Sequence, residues 1–346
     1  MDSELLARRG FTIFLRLMAA VGVLVSHSWP LSGNGIGPSI GSFPIGAIAV
    51  SIFFVLSGYF VFSSSIEHRL FHFILLRFAR LFPALFVANF IFAFVIGFVL
   101  NFQDDKDAYW NSAEGPISYF LRNSTLIFGT QPDLATIFKG NPYPNVVNGS
   151  LWTLPIELKC YLMCALIAIL VKFYDQNWPL YISFAALSVL YLLSSHGNLL
   201  FGDLVSNSTL RLFVIFFSGA LVTKMRFPST GLNLPIKVFT GVFLCTLWIA
   251  PAFTTFLYWI LIPGAVLIPN WITQKFSFFN KRDFSYGFYL WAFPIQQLIM
   301  HFGFATTGLS LLVFSSLVTL CISIGSWYLV ELPAIRYTRK YLNFGE

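Results

Sequence analysis

Apolar runs of bilayer-crossing length follow one another from Phe11 almost to the C-terminus, and this repetition constrains the fold more than any other feature of the chain. About twenty helical residues cross a hydrocarbon core about 30 Å thick. Such runs lie near 11–31, 44–63, 81–100, 151–171, 178–195, 210–223, 234–250, 254–269, 284–302 and 307–330, with those at 210–223 and 254–269 the shortest. The expectation is an all-α, polytopic membrane bundle of about ten transmembrane helices. Charge content agrees, since only 10% of the 346 residues are charged, whereas about a quarter are charged in a soluble domain. No stretch is polar and long enough to bury a separate soluble core, so residues 1–346 read as one membrane domain. The first run lacks a small-residue cleavage site and carries Arg16 inside it, so it reads as a span rather than a signal peptide.

Lys and Arg give that bundle a direction. With the N-terminus inside, fifteen of the twenty-one fall in cytoplasmic segments, from Arg8 and Arg9 through Arg69, Arg77 and Arg80 to Arg336, Arg339 and Lys340. Only Lys106, Arg122 and Lys139 fall outside, all in the 101–150 loop. The positive-inside rule then puts both termini in the cytoplasm of a bacterial inner membrane. An even number of spans preserves the alternation, which favours ten over nine or eleven. The net charge of +7 is therefore a topology signal, not a nucleic-acid patch. The extracytoplasmic loop, with Asp104, Asp105 and Asp107, has the length of a functional or a disordered segment. The segment 66–80, IEHRLFHFILLRFAR, is amphipathic and basic and suits a helix lying among the lipids of the cytoplasmic interface.

Ionisable residues inside spans are costly, which makes each of them a candidate for function. Arg16 and His27 share the first span; eleven residues at 100° each leave them about 20° apart around the helix and about 16 Å apart along it. Either they line one channel, with the cation at the inner mouth and the imidazole above it, or Arg16 snorkels to headgroups while His27 bonds a neighbouring helix. Glu157 sits early in the fourth span, which enters from outside, and is a candidate partner for His27, fixing its tautomer. A structural pair with a Lys or Arg is the other reading. Arg77 and Arg80 are three apart on one helix face. Two guanidiniums so placed make a phosphate clamp, or else they flank a span and hold lipid headgroups. The four cysteines, Cys160, Cys164, Cys245 and Cys321, match no zinc or CxxC spacing, and His68 and His72 lack a third ligand nearby, so no disulfide framework and no metal site is expected.

Six segments carry a resemblance, in order, to the acyltransferase-3 family of membrane acyltransferases. Arg16-LMAAVGVLVS-His27 matches the family's Arg-x10-His motif, and GAIAVSIFFVLSGYFVFSS resembles its FFVLSG segment around Ser57 and Gly58. Arg77-FA-Arg80-LFP matches RxxR followed by proline, and NGSLWTLPIELKCYL resembles the segment that places Ser150 and the acid Glu157. SYGFYLWAFPIQQ, with Tyr286, and the closing ELP at Glu331–Pro333 resemble late family motifs. One departure stands out: three residues before the motif arginine, where the family often has Asp, this chain has Ile13. Many members also carry an SGNH-type esterase domain; the chain ends sixteen residues after the last expected span, so the expected form is the one without it.

The resemblance implies transfer of an acyl group, usually acetyl, from cytoplasmic acyl-CoA to a hydroxyl of an extracytoplasmic glycan such as lipopolysaccharide O-antigen or another polysaccharide. On that implication His27, Arg16 and Glu157 form the catalytic set and Arg77 and Arg80 bind the donor, while Ser57, Gly58, Ser150, Tyr286 and Glu331 support them. No tightly bound cofactor is implied. His27 either deprotonates the acceptor hydroxyl or carries the acyl group transiently. The oxyanion would need backbone N–H groups, a hydroxyl such as that of Ser57, or an arginine. The rival from another class is a transporter of a polar or lipid-linked sugar, which also needs intramembrane Arg, His and Glu. Carriers typically show internal repeats and matched broken helices, and the sequence has neither. A structural subunit of a glycan-assembly complex would leave Arg16, His27 and Glu157 without a role.

Overall fold

With no water to bond in hydrocarbon, an apolar run satisfies its backbone by becoming a helix, and the structure is built accordingly. It is a computed structural model that describes residues 3–41, 43–101, 106–127, 129–135, 137–195, 206–224, 279 and 282–343. Helix α1 (Ser3–Leu31) holds Arg16 and His27 in one uninterrupted rod. A short antiparallel pair, β1 (Ser39–Ile40) with β2 (Phe43–Pro44), turns the chain into α2 (Ile45–Glu67). After a two-residue break, α3 (Leu70–Phe90) runs through a π-helical stretch at Ile91–Ile96 into α4 (Gly97–Leu100). Then come α5 (Lys106–Asn111), α6 (Pro116–Thr125), a 3-10 turn at Gly149–Thr153, α7 (Leu154–Tyr174), α8 (Trp178–Ser195) and α9 (Asn207–Val222). The chain closes with α10 (Ser285–His301), α11 (Gly308–Ser326), a second π-helical stretch at Trp327–Glu331, and α12 (Leu332–Asn343).

Among the described residues, five stretches of helix are long and apolar enough to cross a membrane: Gly10–Leu31, Ile45–Glu67, Leu70–Leu100, Gly149–Tyr174 and Gly308–Leu342. The expected spans at 234–250 and 254–269 lie outside the described residues. Two boundaries differ from expectation. The segment 66–80 is not a separate interfacial helix: it straddles the break after α2, and from Leu70 onward it forms the first turns of a 31-residue helix. Nothing in LLRFARLF breaks a helix, so the amphipathic stretch continues into the apolar one. The last span likewise continues past residue 330, and α12 packs back along α3.

The described part of the 101–150 segment is a packed cap, not a polar loop. Tyr109 and Tyr119 are almost wholly buried in it. Its anchor is the π-helical stretch of the preceding span, where Tyr109 Oη donates to the Ala93 carbonyl at 2.5 Å. Asn123 and Gln131 exchange a pair of 2.8 Å bonds. Asn141 Nδ2 donates to Gln297 Oε1 at 2.8 Å, and Gln297 donates in turn to the carbonyls of Tyr143 and Val146. The sequence shows the turn residues and the acids; the side-chain anchors on a distant helix have no local signature.

Within the bundle, α2 meets α9 at backbone distance. A Cβ on Gly58 would collide with the Phe216 carbonyl, and one on Gly219 with the Val55 carbonyl. Small residues permit this approach where lipid offers no hydrophobic drive. The helices give the bundle two ends: a basic end, where α2 stops and α12 packs on α3, and a cap end, holding Leu31, Ile45 and the 101–150 segment.

Candidate active site

A cavity of about 870 Å³ opens between α1, α2, α3, α7, α10 and α12, in the upper part of the range for small-molecule sites. Its lining brings together Arg16, Ser57, Arg77, Arg80, Glu157 and Tyr286, residues scattered over 270 positions of sequence. Arg77 and Arg80 are not at the surface flanking a span; they line this cavity from within α3. At the basic end the cavity is bordered by His68, His72, Arg336 and Arg339, and toward the cap it stops at Val50, Thr153 and Tyr289.

Arg80 is the most heavily engaged residue in it. Its Nη2 meets Asp283 Oδ2 at 2.7 Å and its Nη1 meets Glu331 Oε2 at 3.2 Å. The rings of Tyr286 and Trp327 lie 5.6 and 5.9 Å from its Cζ. Glu331 is fully buried, and its other oxygen accepts from Ser326 at 3.1 Å. Gly287 leaves the room for that carboxylate, since a Cβ there would stand 3.0 Å from Glu331 Oε1. Tyr286 Oη donates to the Leu81 carbonyl, tying α10 to α3. Thus Tyr286 and Glu331 both contact the Arg80 guanidinium, and Gly58 is a packing contact beside Ser57.

Asp283 was not singled out from sequence. It accepts from the Ser285 hydroxyl at 2.5 Å and from the Ser285 N–H at the start of α10, and it lies 3.7 Å from Arg16 Nη1. The latter distance is an ion pair too long for a hydrogen bond. Burial alone would push the Asp283 carboxyl up, but Arg80, Arg16 and Ser285 outweigh it and hold it below the usual carboxylate range. The carboxylate for Arg16 therefore comes from the segment that leads into α10, while Ile13 is buried. The available signal was an acid two residues before Ser285 of the SYGFYLW run, in a D-x-S pattern able to bond the first backbone N–H groups of a helix.

Glu157 does not pair with His27 as expected. Its Oε1 accepts from Tyr161 at 2.5 Å and from Ser57 at 3.2 Å, well down the cavity from His27. Tyr161 is one turn along the same helix and takes the place foreseen for the imidazole. Arg77 makes no ion pair among the described residues; its buried Nε has no hydrogen-bond partner, and neither does that of Arg16. Buried donors of this kind are uncommon. Here they sit in the wall of a cavity.

His27 lies beyond the cavity. Its ring packs edge-on against Phe293 at 5.1 Å, and it makes no hydrogen bond among the described residues. Phe293 is buried, and a Cβ on Gly149 would touch its ring at 2.9 Å. Tyr289, at the cavity's end, is one helical turn before Phe293, about 6 Å along α10. Tyr289 Oη donates to the Ser150 carbonyl at 2.6 Å and lies 2.6 Å from the Thr153 hydroxyl. Asn148 Nδ2 donates to the Leu290 carbonyl at 3.0 Å. These bonds fix the NGSLWT turn against α10 and bury the Ser150 hydroxyl without a partner. Phe293, with Gly149 against its ring, thus forms a one-turn plug between the Tyr289 end of the cavity and an imidazole that makes no hydrogen bond among the described residues.

The profile of the acyltransferase-3 family, described as an acyltransferase domain, matches residues 11–328. An O-acetyl transferase of Shigella phage Sf6 is 29% identical over 91% of this chain and 93% of its own length. Nodulation protein 10 of Rhizobium leguminosarum bv. viciae is 25% identical over 93% of this chain and 92% of its own. No solved structure matches.

Proposed function

Because the chain belongs to the acyltransferase-3 family over nearly its whole length, we propose that it moves an acetyl group from cytoplasmic acetyl-CoA to a hydroxyl of an extracytoplasmic cell-surface glycan. The observation that carries this reading is the cavity itself: it opens at the basic end, presents Arg16 and Arg77 with buried unpartnered Nε–H groups, and stops one helical turn short of Phe293, the ring that packs on His27. The choice of acetyl is supported by the name of the phage relative. In this reading the basic end faces the cytoplasm of the bacterial inner membrane, following the positive-inside bias.

The donor enters from the basic end, keeps its phosphates there, and threads its pantetheine arm past Arg16 and Ser57 toward Thr153 and Tyr289. Movement of the Phe293 ring admits the thioester to His27. The acceptor hydroxyl, arriving from the cap side, gives its proton to the free imidazole nitrogen, and its oxygen attacks the thioester carbon. The Ser150 hydroxyl, buried next to the Gly149 that packs on Phe293 and without a partner among the described residues, donates to the oxyanion. Collapse expels the CoA thiolate, which takes the proton back from His27, leaving an O-acetyl ester and free CoA. Glu157, with Ser57 and Tyr161, shapes the channel below this point.

NMR of surface glycan from cells with and without the protein tests the reading. New O-acetyl signals are expected with the wild-type chain and none with an equally abundant His27→Ala variant. Full acetylation by that variant would remove His27 from the chemistry.

A further inference from the structure

The inner cavity is close to charge-balanced. Arg16, Arg77 and Arg80 line it together with Glu157 and Asp283, Glu331 is buried against Arg80, and both Nη atoms of Arg80 already hold carboxylates at 2.7 and 3.2 Å. A coenzyme A nucleotide brings a diphosphate and a 3′-phosphate, and placing all of that charge beside three carboxylates would meet repulsion in a poorly solvated site. The compensating charge lies farther out. Arg336 and Arg339 line the cavity from α12, with His68 and His72 across from them, and no carboxylate lines that part among the described residues.

The geometry suits a nucleotide. Arg336 and Arg339 are three apart and share a helix face. Leu332, Ile335 and Leu342 line the cavity from the same helix, so apolar surface for a base lies next to the guanidiniums. α12 begins directly after Glu331, whose bond to Arg80 pins its first turn beside α3. Arg336 and Arg339 then lie about 7 and 12 Å along the helix from Glu331. Along coenzyme A the thioester, pantetheine, diphosphate and 3′-phosphate follow in that order, so the outermost cations meet the outermost phosphate.

Resting on the acetyl-CoA reading above, we propose that Arg336 and Arg339 bind the 3′-phosphate of the donor, leaving Arg77 to the inner phosphates. Both side chains are exposed.

The test is binding of acetyl-CoA and of 3′-dephospho-acetyl-CoA to the purified full chain in lipid-free detergent and in nanodiscs containing phosphatidylglycerol. Wild-type protein should prefer acetyl-CoA over the dephospho form by roughly ten- to a hundredfold, the scale of charged hydrogen bonds to a phosphate. Arg336→Gln/Arg339→Gln should lose that preference while binding the dephospho form as wild type does. Arg77→Ala should weaken both ligands and keep the preference. An undiminished preference in the double variant overturns the proposal, and if that variant instead loses phosphatidylglycerol binding, the pair serves lipid headgroups. Failure of wild-type protein to bind either thioester sinks the donor reading itself.

Discussion

Asp283→Asn removes one charge from a cluster in which three guanidiniums face three carboxylates. Arg16 loses the carboxylate at 3.7 Å, and Arg80 loses its shortest bond, at 2.7 Å. Stripping one partner from a buried ion pair costs about 3–5 kcal/mol. The lower end, about 3 kcal/mol, is expected, because Glu331 still holds Arg80 Nη1 and the asparagine retains an oxygen for Ser285. Arg80→Gln should cost at least as much, since it strands two carboxylates. The double variant leaves less unpaired charge than the two singles imply, so the coupling should be about 2 kcal/mol or more in favour of the pair. The assay is reversible denaturant unfolding of purified protein in detergent micelles, followed by tryptophan fluorescence. A coupling within about 0.5 kcal/mol of zero would refute the reasoning. The sign with pH follows from the depressed Asp283 carboxyl. Its stabilisation is complete at neutral pH and is lost as pH falls below the ordinary aspartate value of about 3.9 and through the lower native one. Wild-type stability should therefore drop in that acid range, and Asp283→Asn should show a shallower drop.

His27→Ala should lower turnover by about 10²–10⁴-fold, the usual weight of a general base, with insertion and abundance unchanged; radiolabelled acetyl transfer normalised to protein level measures it. Arg77→Ala should raise the donor KM and Arg77→Lys should recover only part of the loss, since an ammonium lacks the planar fork; identical donor dependence in all three proteins would show a purely structural arginine. Gly58→Ala should destabilise the bundle by at least about 1–3 kcal/mol, because its methyl meets the Phe216 carbonyl rather than a yielding side chain; unfolding in micelles gives the figure, and an unchanged midpoint would contradict the close α2–α9 contact. Phe293→Ala opens the plug between cavity and His27 and should speed hydrolysis of acetyl-CoA in the absence of acceptor; a hydrolysis rate equal to wild type would show that the ring excludes no water.

What the sequence made legible was local and periodic. The shared face of Arg16 and His27 follows from eleven residues of uninterrupted helix, and α1 is such a helix. The grouping of Arg77 with Arg80 follows from spacing in the same way. What it concealed depends on which helices become neighbours. Glu157 lies in a span as expected, yet its partner is Tyr161 one turn away and not His27 on another helix. Asp283 lies just outside the expected 284–302 span, and nothing nearby marks it, because its two arginines are more than two hundred positions distant. The 66–80 stretch has the composition of an interfacial helix, but its continuity with the apolar run carries Arg77 and Arg80 inward. In the 101–150 segment, Tyr109 is fixed by the π-helical carbonyl of Ala93, and Asn141, Tyr143 and Val146 by Gln297 of α10, none of which leaves a local pattern.

Sidedness tests the central claim most directly, because the account requires the acetyl group, and not the glycan, to cross the bilayer. In sealed vesicles of known orientation, labelled acetyl-CoA confined to the basic-end face should acetylate a glycan confined to the opposite face, and His27→Ala should abolish the signal. Label appearing only when donor and acceptor share one compartment would contradict passage through the bundle, and movement of the glycan itself without any thioester would establish a carrier in place of the enzyme.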